Sequence, residues 1–132
     1  VADGEGVKHR ITLRVEGASS TSAAARIART VAQSLLVKTA WAGADPNWGR
    51  VLAAAGRAGV AIDPRAVDIW IGGQKVCAKG GAVAFDAERA HRDMSAPAYE
   101  IRIVLGRGPG KSRILTSDLT ADYVHINADY ST

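Results

Sequence analysis

The stretch KHRITLRVEGASSTSAA, from Lys8 to Ala24, decides the fold. Residues 8–16 alternate between apolar and polar side chains, which is the period of a strand with one buried face. Gly17 ends the alternation, and either serine of the pair 19–20 can cap a following helix, because a hydroxyl accepts from the open amides of the first turn. A half-buried strand that leads directly into a helix predicts a sheet with helices packed against it.

The same two patterns recur further along the chain. Apolar residues continue at helical spacing to about Ala40, which predicts one unbroken helix. After a turn of glycine, aspartate and proline, Asn47 can cap a second helix that ends near Ala58. Alternating residues at 67–71 and 99–105 predict two more half-buried strands.

Glycines divide the second half of the chain. Gly72-Gly73 predicts a hairpin turn into a short strand at 75–78, and a weaker helical signal follows Asp86. Residues 106–112 combine glycine, proline and basic side chains and predict a mobile basic hairpin. Because strands and helices interleave irregularly and hairpin turns occur, we expect an α+β fold with a mixed or mainly antiparallel sheet.

Composition is that of a globular protein. The chain has 132 residues, of which 47% are hydrophobic and 23% charged, enough for one domain with its own core. Its apolar stretches are interrupted well before the ~20 residues that a bilayer span needs. The single cysteine and the lack of a leader pattern predict a cytoplasmic location. Because the chain starts at Val1 rather than Met, we expect a processed product, a cleaved subunit or a cut fragment.

A net charge of +4 leaves nucleic-acid binding open as an alternative function. However, the 17 basic residues are scattered singly among apolar and acidic neighbours, a pattern more typical of a solvated surface. The glycine-rich segment 106–112 lacks the first glycine of a phosphate-binding loop, and Pro109 removes one of the amides that such a loop uses. We therefore expect no nucleotide site and no nucleic-acid partner.

Metal and nucleophile chemistry are also poorly supported by the residues. The three histidines are far apart in sequence and lack the paired spacing of zinc ligands, so no metal is expected. Cys77 lies in a short apolar strand, where a buried inert thiol is favoured over a nucleophile. At the amino end, the acidic and glycine-rich segment 3–6 is compatible equally with a ligand contact and with an ordinary turn.

Several segments together resemble the ornithine acetyltransferases. They occur in the family's order and rough spacing and cover essentially the whole chain; they are Ala2-Asp3-Gly4-Glu5-Gly6, Leu36-Val37-Lys38-Thr39-Ala40, Asp45-Pro46-Asn47-Trp48-Gly49-Arg50 and the stretch from Asp118 to Tyr130. The block 45–50 is the most specific of them. The resemblance implies the carboxy-terminal part of the beta chain of an autoprocessing enzyme with a fold like that of N-terminal-nucleophile enzymes.

The resemblance also implies the chemistry known for that family. The precursor cleaves itself before a threonine, and the alpha and beta chains stay together, commonly as a pair of such pairs. The freed threonine takes acetyl from N-acetylornithine and passes it to glutamate, in a ping-pong reaction of arginine biosynthesis. No metal or cofactor is implied, although some members accept acetyl-CoA as a co-substrate. The nucleophile lies upstream, so no catalytic residue is expected in this chain.

The resemblance assigns three substrate-binding residues here, namely Glu5, Asn127 and the terminal Thr132. The block 45–50 is interpreted as structural. Two places depart from the family pattern. The usual small residue, threonine and lysine after Gly6 are Val7-Lys8-His9, and the usual tryptophan, glycine and cysteine before Asp118 are Leu115-Thr116-Ser117.

The domain organisation and the role of the chain each keep an alternative. Residues 1–132 are expected to form a single region, or else residues 1–60 complete the main catalytic domain while 61–132 form a small α/β subdomain. The alternatives to a substrate-binding component are a non-catalytic assembly domain of the same enzyme and a basic nucleic-acid-binding domain.

Overall fold

A computed structural model describes residues 9–118 of the chain. In that range it forms, in order, β1 (Arg10–Ala18), α1 (Thr21–Ala32), α2 (Leu35–Ala42), α3 (Trp48–Gly56), a 3-10 turn (Pro64–Ala66), β2 (Asp68–Ile71), β3 (Gln74–Ala78), β4 (Gly81–Ala82), α4 (Ala87–Met94), β5 (Ala98–Val104) and β6 (Gly110–Ser117). None of the helices between residues 9 and 118 combines the length and the apolar composition that a transmembrane helix requires.

The strands form a single mixed sheet in the order β4-β3-β2-β5-β1-β6. Strand β1 runs parallel to β5 and antiparallel to β6, and its pairing aligns Arg10 with Ser117. Strand β2 is antiparallel to both β5 and β3. The predicted α+β fold with a mixed sheet is therefore confirmed.

One face of the sheet is apolar because the period of the strands places alternate residues on the same side. Leu13 of β1 faces Ile101 of β5, which in turn faces Ile71 of β2, and all three side chains are almost fully buried. The buried residues of helices α1, α2 and α3, together with Met94 of α4, complete this core. The sheet and the helices thus form two packed layers.

The opposite face of the sheet carries charged side chains that pair across the strands. Arg14 lies 2.7 Å from Glu100, and Arg102 lies 2.8 Å from Glu16. Trp70 of β2 is also on this face, with the guanidinium of Arg102 4.6 Å from its ring centroid. Two of the basic residues on this face, Arg14 and Arg102, thus have acidic neighbours, and Arg102 has an aromatic one as well.

Two helix caps and one turn agree with the sequence prediction. The side chain of Asn47 accepts from the amide of Arg50, and that of Asp86 accepts from the amide of Arg89. Gly72 has a φ of +62° in the tight turn between β2 and β3, a conformation that glycine adopts without strain. These features depend on neighbouring residues, which explains why the local sequence predicts them.

The single helix predicted to run to about Ala40 is wrong, because the chain breaks at Gln33 and Ser34. Ser34 is extended, and its hydroxyl oxygen accepts from the amide of Val37 at 3.3 Å, starting a new helix. The apolar spacing continues through the break, so it does not reveal the break.

The predicted basic hairpin at 106–112 is also wrong. Strands β5 and β6 are not neighbours, because β1 lies between them, and the segment crosses the end of β1 instead. The amides of Arg107 and Gly108 donate to the carbonyl of Gly17 at 2.7 and 3.0 Å. Gly110 then begins β6, close to the backbone of Ser20, where a side chain would clash.

Candidate functional site

The three residues assigned to substrate binding, Glu5, Asn127 and Thr132, lie outside the described residues. Their roles therefore remain predictions. The segments that carry them adjoin the two ends of the described chain, His9 and Asp118.

These two described ends are in direct contact. The amide of His9 donates to Asp118 Oδ1 at 3.0 Å, and His9 Nδ1 lies 2.6 Å from Asp118 Oδ2. A carboxylate can only accept, so this geometry puts the imidazole proton on Nδ1. Both side chains are largely buried, at 12% and 4% exposure. The antiparallel pairing of β1 with β6 brings residues 109 positions apart together.

A buried lysine lies at the same end of the sheet. Lys38 of α2 is only 4% exposed, and its Nζ donates to the carbonyl of Ser117 at 2.6 Å and to Thr116 Oγ1 at 3.1 Å. Burial lowers the pKa of Lys38 from 10.5 to about 8, and the negative charge of Asp118 opposes that change. The amine therefore fixes the last two residues of β6 from the helix layer.

Tyr99, at the start of β5, completes the arrangement. Its side chain is 9% exposed, and within residues 9–118 its hydroxyl has no hydrogen-bond partner. Burial, reinforced by the charge of Asp118, raises the pKa of Tyr99 above its ordinary range. Its ring centroid lies 6.4 Å from that of His9. A buried hydroxyl without a hydrogen-bond partner is uncommon in folded proteins.

We call this group the chain-end cluster; it consists of His9, Lys38, Tyr99, Thr116, Ser117 and Asp118. It includes three of the six residues in the two segments that are expected to depart from the ornithine acetyltransferase pattern, namely His9, Thr116 and Ser117. The described parts of these two segments are thus neighbours in space, joined through Asp118 and the pairing of β1 with β6.

The block 45–50 closes the corner between α2 and α3. The amide of Asp45 donates to the carbonyl of Ala40 at 2.9 Å, and Arg50 Nη1 donates to the carbonyl of Leu36 at 3.0 Å. Together with the Asn47 cap, these contacts hold α2 against α3. They support the interpretation of the block as structural, since they orient the helix that carries Lys38.

Other candidate sites fit structural roles in the described part of the chain. The amides of Arg107 and Gly108 are already used by Gly17, so they are not available to a phosphate. Cys77 is fully buried, as predicted, and burial raises the pKa of its thiol. Among residues 9–118, no three His, Cys, Asp or Glu side chains are grouped as metal ligands.

The local sequence pattern did not assign roles to the members of the chain-end cluster. Lys38 and Asp118 lie in segments that carry the family resemblance, but the resemblance implies no function for either residue. One signal was available for Lys38, because it shares the buried side of α2 with Val37 and Trp41. A lysine on an apolar helix face needs a specific partner, and that requirement could have marked the position.

Comparison with known proteins gives a consistent result. The family described as the ArgJ family matches residues 1–132. The "Arginine biosynthesis bifunctional protein ArgJ" of Parasynechococcus marenigrum (strain WH8102) is 49% identical over 98% of this chain and 32% of that protein. The protein of the same name from Dehalococcoides mccartyi (strain CBDB1) is 47% identical, with the same coverage. The chain thus spans about a third of the length of these curated relatives.

A solved structure extends the likeness to the fold. The crystal structure of the arginine biosynthesis bifunctional protein ArgJ from Bacillus halodurans matches with a TM-score of 0.84 and 37% sequence identity. The match covers 97% of this chain and 61% of that one. Because the family match includes every residue and the fold agrees, the chain belongs to the ArgJ family.

Proposed function

We propose that this chain is the carboxy-terminal part of the beta chain of an ornithine acetyltransferase that moves acetyl from N-acetylornithine to glutamate in arginine biosynthesis. In this proposal Glu5, Asn127 and Thr132 contribute to the amino-acid site. The nucleophilic threonine and the oxyanion donors belong to upstream parts of the same precursor. The proposal includes a cytoplasmic location.

The contact between His9 and Asp118 is the observation that carries the proposal. Glu5 is four residues from His9, a reach of at most about 14 Å, and Asn127 is nine residues from Asp118, a reach of at most about 32 Å. Because the starting points of both segments touch, both can reach one site despite their separation in sequence. The membership of the whole chain in the ArgJ family supports assigning acetyl-transfer chemistry to that site.

The proposed reaction has two acetyl transfers. The threonine hydroxyl, activated by its own α-amine, attacks the acetyl carbonyl of N-acetylornithine. The C–N bond breaks, ornithine leaves with the proton on its amine, and the acetyl remains as an ester on the threonine. The glutamate amine then attacks that ester, the C–O bond breaks, and the hydroxyl regains its proton. Donors to the tetrahedral oxygen contribute about 3 kcal/mol each.

The residues of this chain would bind and orient the substrate rather than react. A carboxylate such as Glu5 suits the ammonium or amide nitrogen of an amino-acid ligand, and an amide such as Asn127 can both donate and accept. Thr132 would add a hydroxyl group. No cofactor is needed by this chemistry, and acetyl-CoA would enter only as a co-substrate.

The proposed partners are the alpha chain and the upstream part of the beta chain. Strand β6 is an edge strand in the described sheet, and Leu115 on it is 68% exposed. An unpaired edge with a large apolar side chain is a surface that another part of a protein can cover. Arg14 and Arg102, on the charged face of the sheet, are already paired with glutamates, so a nucleic-acid partner is not part of the proposal.

The test is an acetyl-transfer assay with an assembled enzyme. This chain replaces the matching third of the Parasynechococcus relative, and transfer from N-acetylornithine to labelled glutamate is measured with and without it. We expect transfer only in the assembled enzyme, with ping-pong kinetics. Glu5→Ala should reduce kcat/KM about tenfold or more, because a charge-assisted contact is lost.

Glu88→Ala is the matched control, since Glu88 is an exposed carboxylate on α4, far from the chain ends in sequence. It should leave transfer unchanged. Transfer in the assembled enzyme combined with ordinary kinetics for Glu5→Ala and Asn127→Ala would support the assembly-domain alternative instead. No transfer by a folded assembly would end the proposal.

A further inference from the structure

Lys38 is a buried cation that the proposed chemistry does not use. We infer that Lys38 is a positioning residue for the amino-acid site, because its amine fixes the end of β6, from which the segment carrying Asn127 and Thr132 continues. The inference rests on the proposed function, since those two residues are proposed ligands. It assigns Lys38 no contact with the reacting atoms.

The geometry of the amine carries the inference. Nζ donates to the carbonyl of Ser117 at 2.6 Å and to the hydroxyl of Thr116 at 3.1 Å, the last two residues of β6. The Ser117 bond is short, as expected for a charge-assisted contact. An edge strand has only one neighbour in the sheet, so its end depends on such contacts for a fixed direction.

A side chain chosen for stability alone would not be a lysine. Burying an ammonium group is costly, and an apolar side chain of the same length would fill this space at lower cost. The amine additionally fixes the orientation of the end of β6, because its N–H groups donate to two particular oxygens of that strand. Its position on α2 is fixed in turn by the Ser34 cap and by the bond from Arg50 to Leu36.

The carboxylate of Asp118 extends the arrangement to the other chain end. Its negative charge partly offsets the lowering of the Lys38 pKa by burial, and its oxygens contact both the amide and the ring of His9. Lys38 and Asp118 thus connect α2, the end of β6 and the residue before β1. The segments that carry Glu5 and Asn127 both leave from this point.

The two bonds of Lys38 depend on different groups of β6. The bond to Thr116 needs a hydroxyl side chain at that position, whereas the bond to the Ser117 carbonyl is available with any residue there. The Ser117 bond is also the shorter of the two. Loss of the Thr116 bond should therefore change substrate binding less than loss of the amine, which removes both bonds.

The test uses the assembled enzyme and compares three variants. Lys38→Met removes the amine at nearly constant length, Thr116→Val removes one acceptor, and Lys111→Met changes an exposed lysine of the same strand. We expect Lys38→Met to raise the KM for glutamate about tenfold with kcat changed less than about threefold, the size expected for a lost charge-assisted bond. Thr116→Val should raise KM about threefold, and Lys111→Met should not change it.

A merely structural role would lower the folded fraction, and with it the apparent kcat, but would leave the KM of the folded enzyme unchanged. Unchanged KM in Lys38→Met would therefore overturn the inference. If that variant does not fold, Thr116→Val decides in its place, and an unchanged KM there would overturn it equally. The proposed function fails separately, through absence of transfer in the unsubstituted assembly or unchanged kinetics in Asn127→Ala.

Discussion

Replacing Lys38 by methionine should change how the stability of the chain depends on pH. The pKa of Lys38 is lowered from 10.5 to about 8 because the amine is buried, a change that Asp118 partly opposes. Below about pH 8 the Lys38 amine is protonated in both the folded and the unfolded chain, so burial of its charge lowers the unfolding free energy by the full amount. Between about pH 8 and 10.5 the unfolded chain binds a proton that the folded chain has released, and stability rises with pH.

The size of this effect follows from the same pKa. Lowering a pKa from 10.5 to about 8 corresponds to at most about 3 kcal/mol of unfolding free energy. Only part of this change falls between about pH 7 and about pH 10, and the expected change in that window is about 1–2 kcal/mol. Tyr99 and Cys77, whose pKa values are raised by burial, work in the opposite direction at high pH. They are present in both proteins, so they cancel when Lys38→Met is compared with the unsubstituted chain.

The assay is urea unfolding followed by circular dichroism in steps from about pH 7 to about pH 10, the window in which the amine titrates. Across that range, the unfolding free energy of the unsubstituted chain should rise by about 1–2 kcal/mol relative to that of Lys38→Met. Lys111→Met removes an exposed lysine, so its unfolding free energy should have the same pH dependence as that of the unsubstituted chain. A constant difference between the unsubstituted chain and Lys38→Met at every pH would refute the assignment of Lys38 as a desolvated amine.

Two stability predictions concern the scaffold of the site. Leu13→Ala should lower the unfolding free energy by about 3–5 kcal/mol, because it removes a fully buried side chain of the sheet. In the same urea experiment, Leu115→Ala at an exposed position should change the unfolding free energy by less than about 0.5 kcal/mol. Asn47→Ala should cost about 1 kcal/mol through loss of the cap on α3, measured by thermal unfolding, and an unchanged midpoint would show that the cap bond contributes nothing.

Local patterns predicted the elements whose residues interact with near neighbours in the chain. The alternation of residues 8–16 marked β1, and Asn47 and Asp86 marked the starts of α3 and α4. Strand β6 was not predicted, because its residues are a mixture of basic, polar and apolar side chains with a poor strand period. Its pairing with β1 links distant parts of the sequence, and no local pattern contains that information.

The contacts of the chain-end cluster could not be predicted from the sequence for the same reason. Lys38 meets Thr116 across 78 positions, and His9 meets Asp118 across 109. The position of Lys38 on the buried side of α2 indicates that it needs a partner, but the identity of that partner comes from the packing of α2 against β6. The family resemblance located segments near this cluster, but it did not indicate which side chains hold them together.

The most direct test of the account is a crystal structure of the assembled enzyme with N-acetylglutamate bound. We expect the Glu5 carboxylate and the Asn127 amide within about 2.7–3.2 Å of polar atoms of the same ligand molecule, beside the threonine nucleophile. A ligand held elsewhere, with Glu5 and Asn127 on different sides of the molecule, would contradict the claim that the two ends of this chain build one amino-acid site.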